Sequence, residues 1–296
     1  MILSEILDFV KPLSFYGDKD TEIKDAQGMQ YLTVNSIGWC SDKNIELFKA
    51  IVSGTILISA NSFGQHIQIP NGVNVMVVEN PRRAFASILN QFFTHKPVFG
   101  KISDSASIDS SVIYNPLRVI IGSNVVIEEN CSLGDFCVID HNTVIKAGTV
   151  IGEYAKIGSN CTIGGVGFGY EQNDEGVYEM IPHIGNVLIN NHVEIGNNVC
   201  IDRAVMGATI LHEHVKVDNL VHIAHGVSIG KNSLVIANAM VAGSVEIGEN
   251  SWIAPSASIK QKVTIGNNAL VGLGSVVLKN VEDQSIVAGV PAKKMN

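Results

Sequence analysis

The stretch that decides the fold is residues 211–277, which read LHEHVKVDNLVHIAHGVSIGKNSLVIANAMVAGSVEIGENSWIAPSASIKQKVTIGNNALVGLGSVV. Leu, Ile or Val occupies every sixth position from Leu211 to Val277. An α-helix would space its apolar residues by three and four, and a half-buried strand by two, so a period of six requires another geometry. Three sides of six residues each make a triangular coil of 18 residues, and such coils stack.

The same period runs from Ile121 to Ile163 and from Ile189 to Ile201. The residue two places before each large aliphatic is small, and three cysteines fill such places, Cys131, Cys137 and Cys161. Gly, Asn or Asp often follows the aliphatic, where a turn needs relaxed backbone angles. The pattern resembles the left-handed parallel β-helix of the hexapeptide-repeat transferases. We therefore expect a mainly β protein built on that helix.

Composition excludes several classes of protein. The chain has 296 residues, 46% of them hydrophobic and 16% charged, which is ample for a buried core and excludes disorder. A net charge of -8 provides no basic surface for a phosphate backbone, so we expect no nucleic-acid partner. No run of 18 apolar residues occurs, and the acidic N-terminus lacks the basic leader of a signal peptide, so we expect no integral membrane segment and a cytoplasmic location. Five cysteines without CxxC spacing argue against a disulfide framework.

Two domains are expected. Residues 1–100 lack the period and form a small N-terminal α/β domain, with buried strands at 55–59 and 75–78 and a helix that begins at Pro81. Residues 101–296 form the β-helix domain, which ends in a tail over residues 281–296.

The period breaks twice, and a rigid stack of coils favours recognition loops at such breaks. The longer excursion, residues 165–187, predicts a hairpin around the turn at 173–176, although a tolerated surface insertion is the alternative. The shorter excursion, residues 201–211, adds four residues to a six-residue step.

A candidate catalytic pair follows the second break. His225 lies two residues after inward Ile223 and should point outward, and one 18-residue coil later Gly243 should lie beside it. Imidazole supplies a base near neutral pKa, and a glycine amide can face a developing oxyanion. The alternative is that His225 is a solvated residue or a contact between copies of the chain.

Several longer motifs occur together in this chain. They are IPHIGNVLINNHVEIGNNVCIDRAVMGATI at 181–210, VDNLVHIAHGVSIG at 217–230, GFGY at 167–170, and SEIL, WCSDKNIELF and VVENPRRAFASIL in the N-terminal domain. Through them the chain resembles a specific family, the UDP-3-O-acylglucosamine N-acyltransferases of lipid A synthesis. The resemblance covers nearly the whole chain. It implies that His225 is the general base and that the Gly243 amide lies at the thioester carbonyl. It also places Asp218 and Asn219 in the wall of the site with the Phe168 and Tyr170 loop beside it, and we assign His222 to substrate binding.

Three departures from the family bear on its substrates. The family's N-terminal domain grips uracil with an Asn and a Tyr, and the matching stretch here, residues 39–44, lacks the Tyr, so nucleotide recognition there is an open expectation. A second family histidine falls on Lys262. The ending VAGVPAKKMN resembles hexapeptide enzymes that use acetyl-CoA, and the family's C-terminal helical extension is absent. We therefore assign Lys293, Lys294, Gln261 and Lys262 to the acyl donor.

The leading hypothesis is an N-acyltransferase that moves an acyl group from acyl-CoA to the amine of a nucleotide-linked amino sugar, with no metal and no permanently bound cofactor. The alternative is the lipid A enzyme itself, with acyl carrier protein as donor. A trimeric zinc carbonic anhydrase is less favoured because its H-x4-H spacing is missing, and a non-catalytic β-helical scaffold remains open. We expect a homotrimer, since outward residues on a flat prism form shallow sites unless a neighbour closes them.

Overall fold

The computed structural model describes residues 1–64 and 68–295 and divides into two compact units, Met1–Pro97 and Val98–Asn296. Asn296 itself, the last residue of the predicted tail, lies outside the described residues. Each unit is described here by itself.

The N-terminal unit contains a five-stranded sheet with helices packed on it. Its strands, in chain order, are β1 Ser14–Tyr16, β2 Asp25–Ala26, β3 Ser36–Trp39, β4 Gly54–Ser59 and β5 Val73–Val78, and the sheet order is β1-β5-β4-β3-β2. Its α-helices are Leu3–Val10, Ile45–Phe48, Ala60–Phe63 and Pro81–Ile88, with 3-10 turns at Met29–Tyr31 and Asp42–Asn44 and a π-helical turn at Leu89–Phe93. Only β1 runs antiparallel to its neighbour.

The strands predicted at 55–59 and 75–78 and the helix beginning at Pro81 are confirmed. Every residue of β4 and β5 is buried, which explains why both read as continuous apolar runs. Asn80 caps the Pro81 helix by accepting a hydrogen bond from the Arg83 N–H at 3.0 Å.

The second unit is a left-handed parallel β-helix with three sides, as predicted. Each side is a stack of short strands, one from each coil. Side 1 consists of Lys101–Ile102, Ile120–Ile121, Val138–Ile139, Lys156–Ile157, Glu194–Ile195, Lys216–Val217, Leu234–Val235, Trp252–Ile253, Leu270–Val271, Ile286–Ala288 and, antiparallel at its end, Lys293–Lys294. Side 2 consists of Ser107–Ile108, Val126–Ile127, Val144–Ile145, Thr162–Gly165, Cys200–Asp202, His222–Ile223, Met240–Val241, Ser258–Ile259 and Val276–Val277. Side 3 consists of Ser132–Leu133, Val150–Ile151, Asn186–Ile189, Ala208–Leu211, Ser228–Ile229, Glu246–Ile247 and Thr264–Ile265.

The two inward positions of each side form one continuous core along the prism. The large aliphatics of the six-residue period are buried, and so are the small residues that precede them by two. Cys131, Cys137 and Cys161 are free, buried thiols in these places, which confirms that they are packing residues.

The expectation that the residue directly after each aliphatic needs relaxed backbone angles is wrong. The left-handed backbone falls at the second residue of each corner, three positions after the aliphatic, and asparagine is the residue found there most often, as at Asn124 and Asn142. Glycine directly after the aliphatic is needed for close approach, because a Cβ at Gly152 would lie 2.7 Å from the Asn191 backbone nitrogen of the next coil. Glycine at this position is therefore explained by the short distance to the next coil and not by its backbone angles.

The strand register places both excursions at one corner. Val138 pairs with Lys156, an offset of 18 residues, whereas Val150 pairs with Leu188 and Cys200 pairs with His222. Those offsets are 38 and 22, so the coils carry 20 and 4 extra residues. The longer excursion contains the predicted hairpin, with Tyr170–Gln172 antiparallel to Tyr178–Met180. Among the described residues, no helix is long and apolar enough to cross a membrane.

Candidate active site

The chemistry-bearing side chains gather at the corner between side 2 and side 3, here called the His225 corner. The turns that form it, coil after coil, are 147–148, the excursion 165–185, the excursion 203–207, and the turns 225–226, 243–244 and 261–262. Because the rungs beneath are regular, these residues stand above one another along one edge of the prism.

His225 lies directly over Gly243 of the next coil. A Cβ added to Gly243 would lie 2.6 Å from His225 Nε2 and 2.7 Å from Cε1, so only glycine leaves room for the imidazole. The expected adjacency of the two residues is present. Among the described residues, no acceptor meets the Gly243 N–H, which leaves it available beside the His225 nitrogen. A donor and a base thus lie side by side, with the His225 side chain half-buried and Gly243 buried.

The backbone of His225 is held from both neighbouring coils. Its carbonyl accepts a hydrogen bond from the Ser244 N–H at 2.9 Å. The Gly226 N–H donates to Thr209 Oγ1 at 2.9 Å, and that buried hydroxyl donates to the Asp202 carbonyl at 2.7 Å. The shorter excursion therefore fixes the turn that carries the imidazole.

The longer excursion folds back onto His225 and brings a second histidine. His183 is only 8% exposed, and its ring meets the His225 ring edge to face with the centroids 5.3 Å apart. Its Nδ1 lies 2.7 Å from the Ile181 carbonyl oxygen. A Cβ at Gly167 would lie 2.9 Å from His183 Nε2 and 3.0 Å from His225 Cβ, so the first glycine of GFGY packs closely against both side chains.

Arg203 ties the excursion to the prism. Its Nε donates to the Gly164 carbonyl at 2.8 Å, and a second guanidinium nitrogen donates to the Ala147 carbonyl at 3.1 Å. The Arg203 N–H donates to the Gly165 carbonyl at 2.8 Å. The start of the loop is therefore anchored before it reaches His225.

A carboxylate lies at the end of the neighbouring strand. Asp202 is largely buried, and its Oδ2 is 3.6 Å from His222 Nε2. Burial raises the pKa of Asp202, while His222 and then His183 oppose that rise. Burial also lowers the pKa of His225, and the nearby His183 lowers it further. A neutral His225 at physiological pH is the form that a general base requires.

The other residues that the sequence assigned to this part of the site differ in position and in solvent exposure. Phe168 is 86% exposed, and its ring lies 4.9 Å from that of Tyr170, so the pair forms an aromatic ridge on the hairpin. Gln261 and Lys262 share the His225 corner, where the Lys262 N–H donates to the Gly243 carbonyl at 3.0 Å. His222 lies on side 2 with its side chain 45% exposed.

Asp218 and Asn219 lie at another corner, between side 1 and side 2, so one chain does not bring them to His225. There they satisfy backbone groups of adjacent turns. Asp218 accepts hydrogen bonds from the Asn219 and Ala237 N–H groups, at 2.7 and 3.2 Å, and Asn219 Oδ1 accepts from the Asn197 N–H at 2.6 Å. A role in binding substrate is open to them only at a neighbour's site.

The two tail lysines lie at the end of side 1, opposite the His225 corner. Lys294 pairs with Glu282 at 3.0 Å, and the strand Lys293–Lys294 folds back on Ile286–Ala288. Within one chain the structure does not bring Lys293 or Lys294 together with His225.

Sequence reasoning missed His183, Asp202 and Arg203. His183 and Arg203 lie within the excursions and Asp202 directly precedes one, where the six-residue period that places the residues of the regular coils no longer applies. A signal was present, because His183 and Asp202 both belong to the motif that carries the family resemblance. In the part of the chain described, no group of three or more His, Cys, Asp or Glu side chains is arranged to hold a metal ion.

Comparison with known proteins identifies the family of the chain. The bacterial transferase hexapeptide family, a model of six repeats, matches residues 130–165 and 244–279. The UDP-3-O-acylglucosamine N-acyltransferase of Campylobacter lari is 32% identical over 304 residues, which cover 98% of this chain and 93% of that protein. UDP-3-O-acylglucosamine N-acyltransferase 1 of Francisella tularensis subsp. holarctica is 34% identical over 232 residues, 68% of this chain, and the chain spans 62% of that relative's length.

Among solved structures, the UDP-N-acetylglucosamine acyltransferase of Campylobacter jejuni superposes with a TM-score of 0.59 at 22% identity. The superposition covers 66% of this chain and 74% of that one. This likeness supports the fold, the left-handed parallel β-helix.

Proposed function

Because the chain belongs to the family of UDP-3-O-acylglucosamine N-acyltransferases, we propose that it transfers an acyl group from a thioester to the amine of a UDP-linked 3-O-acylglucosamine. The observation that carries the proposal is His225 Nε2 lying over Gly243, whose N–H meets no acceptor in the described part of the chain. Base and oxyanion donor are thereby adjacent.

The reaction follows from these two groups. Neutral His225 takes a proton from the attacking sugar amine as its nitrogen bonds to the thioester carbonyl carbon. The carbonyl oxygen gains negative charge, and the Gly243 N–H donates a hydrogen bond to it. When the carbon–sulfur bond breaks, the sulfur leaves with the proton held by His225, which returns the imidazole to its neutral form. The products are an amide and a free thiol.

The relatives favour the alternative weighed from sequence, the lipid A type of enzyme, over the leading hypothesis of a general nucleotide sugar and acyl-CoA. Their names specify UDP-3-O-acylglucosamine as the acceptor. Part of the basis for acyl-CoA was the pair of tail lysines, and Lys294 is already paired with Glu282 on the side opposite the His225 corner. We therefore place acyl carrier protein first as donor and acyl-CoA second.

We further propose that the active assembly is a homotrimer with each site shared between two copies. In a single chain Asp218 and Asn219 lie at the corner between sides 1 and 2. A neighbouring prism packed against the first would bring that corner to His225. Such sharing would also enclose the open His225 corner and exclude water from the reaction.

The N-terminal unit is proposed to recognise the nucleotide. At the carboxyl end of its parallel strands, Asp42 Oδ1 accepts hydrogen bonds from the Ser59 and Ser62 hydroxyl groups, which lower the pKa of Asp42. The short 3-10 turn that contains Asp42 thus has a fixed shape without the missing Tyr.

An acceptor comparison tests the proposed function. The purified protein is incubated with a hydroxyacyl carrier protein and either UDP-3-O-acylglucosamine or UDP-N-acetylglucosamine, and products are weighed by mass spectrometry. We expect N-acylation of the first acceptor only, since the second has no free amine. Hydrolysis of the thioester without transfer to the sugar would refute the proposal.

A further inference from the structure

The His225 corner contains a buried polar atom that the proposed reaction does not use. His183 is more than nine-tenths buried, and its Nε2 has no hydrogen-bond partner among the residues described. Because a carbonyl oxygen only accepts, the 2.7 Å contact with Ile181 requires the proton on Nδ1. Nε2 of neutral His183 is therefore a bare lone pair that faces Gly167 and the His225 ring.

A lone imidazole in a loop is more often a packing residue, but this one is held at a defined place. Cβ atoms added to Gly167 and Gly169 would lie 2.9 Å from His183 Nε2 and 3.1 Å from Cε1. The lack of a side chain at these two glycines of the GFGY motif thus leaves room for the His183 ring. The space so made allows the ring to pack against that of His225.

We propose that His183 is a positioning residue for the general base: it covers one side of the His225 ring, keeps water from it, and holds its plane over Gly243. This inference rests on the proposed function. The Ile181 carbonyl holds the proton of the neutral His183 ring on Nδ1, so that Nε2 presents a lone pair on the side that faces His225.

Other titratable groups face this position from the packed elements. Asp202 lies at the end of the preceding strand of side 2, His222 lies on the strand that leads into His225, and Lys262 lies at the same corner one coil beyond Gly243. Asp202 and His222 face each other at 3.6 Å and partly offset one another, whereas His183 is the imidazole in ring contact with His225.

Two substitutions of His183 distinguish a role in shielding His225 from water from a role in packing alone. His183→Asn keeps a donor near the Nδ1 position for the Ile181 carbonyl but removes the far side of the ring. His183→Gln keeps bulk and an uncharged polar atom near the Nε2 position. We expect the Asn variant to admit water to His225, so the pKa of His225 rises and the acid limb of kcat/KM moves to higher pH. When the pH is lowered from 8 to 6, the fold-loss of kcat/KM in the Asn variant should be at least about three times that of the wild type. The Gln variant should keep the wild-type limb.

The deciding measurement is direct titration of the His225 ring by NMR, with Cε1-labelled histidine and the His225→Ala variant for assignment. It does not need turnover, so it stands apart from the proposed function. The expected result is a wild-type His225 that titrates below ordinary histidine, a higher value in the Asn variant, and recovery in the Gln variant. Unchanged titration in the Asn variant, or a wild-type His225 at or above the ordinary value, overturns the positioning role. The expected titrations without any acyl transfer would instead overturn the proposed function alone.

Discussion

Replacing Gly243 by alanine tests whether the contact between His225 and Gly243 is what organises catalysis. Gly243 does not have a positive φ, so alanine introduces no backbone strain there. Its Cβ would start 2.6 Å from His225 Nε2, and van der Waals contact begins at 3.4 Å, so the imidazole must move by at least 0.8 Å. The ring is half-buried and can swing outward, so folding should survive.

A shift of about 1 Å in a catalytic group costs on the order of 10²-fold in rate. We therefore expect Gly243→Ala to lower kcat by about 10²-fold, or about 2.7 kcal/mol in the barrier, with KM changed little. Initial rates with saturating donor and acceptor measure this, alongside a thermal melt. Gly28→Ala is the matched control, since its added Cβ meets nothing closer than 3.8 Å and its φ is -64°. Wild-type turnover in Gly243→Ala, or loss of folding in place of activity, would refute the reasoning.

The remaining predictions concern the base, the buried carboxylate and the shared site. His225→Ala should lower turnover by roughly 10²-fold or more with an unchanged melt, and His222→Ala by less; equal losses would mean that the base is misassigned. Because burial raises the folded-state pKa of Asp202, its stabilising contribution is present below the ordinary carboxyl pKa and is lost as pH rises through the folded value. Asp202→Asn should therefore gain in melting temperature relative to wild type as the pH rises above about 4, and a difference that does not change with pH would contradict this. Light scattering should give a trimer, and co-expressed His225→Ala and Asp218→Ala chains should recover about a quarter of the sites, whereas mixing without recovery would place each site within one copy.

The β-helix could be predicted because the stacking of coils requires a buried aliphatic side chain at every sixth residue. The adjacency of His225 and Gly243 followed from the 18-residue coil alone. The position of His183 could not be predicted, because the path of an inserted loop depends on contacts such as those of Arg203 with Gly164 and Ala147. Asp218 and Asn219 lie on regular coils, but their assignment to the site came from the family resemblance. In one chain their side chains instead accept hydrogen bonds from the backbone of neighbouring turns.

The most direct test of the central claim is a donor competition at the His225 site. The wild type and His225→Ala are each given UDP-3-O-acylglucosamine with equal amounts of hydroxyacyl carrier protein and hydroxyacyl-CoA that carry differently labelled acyl chains. The account predicts an N-acylated product from the wild type that carries the carrier-protein label, and roughly 10²-fold less product from the variant. A product that carries the CoA label, or equal product from the two proteins, would contradict it.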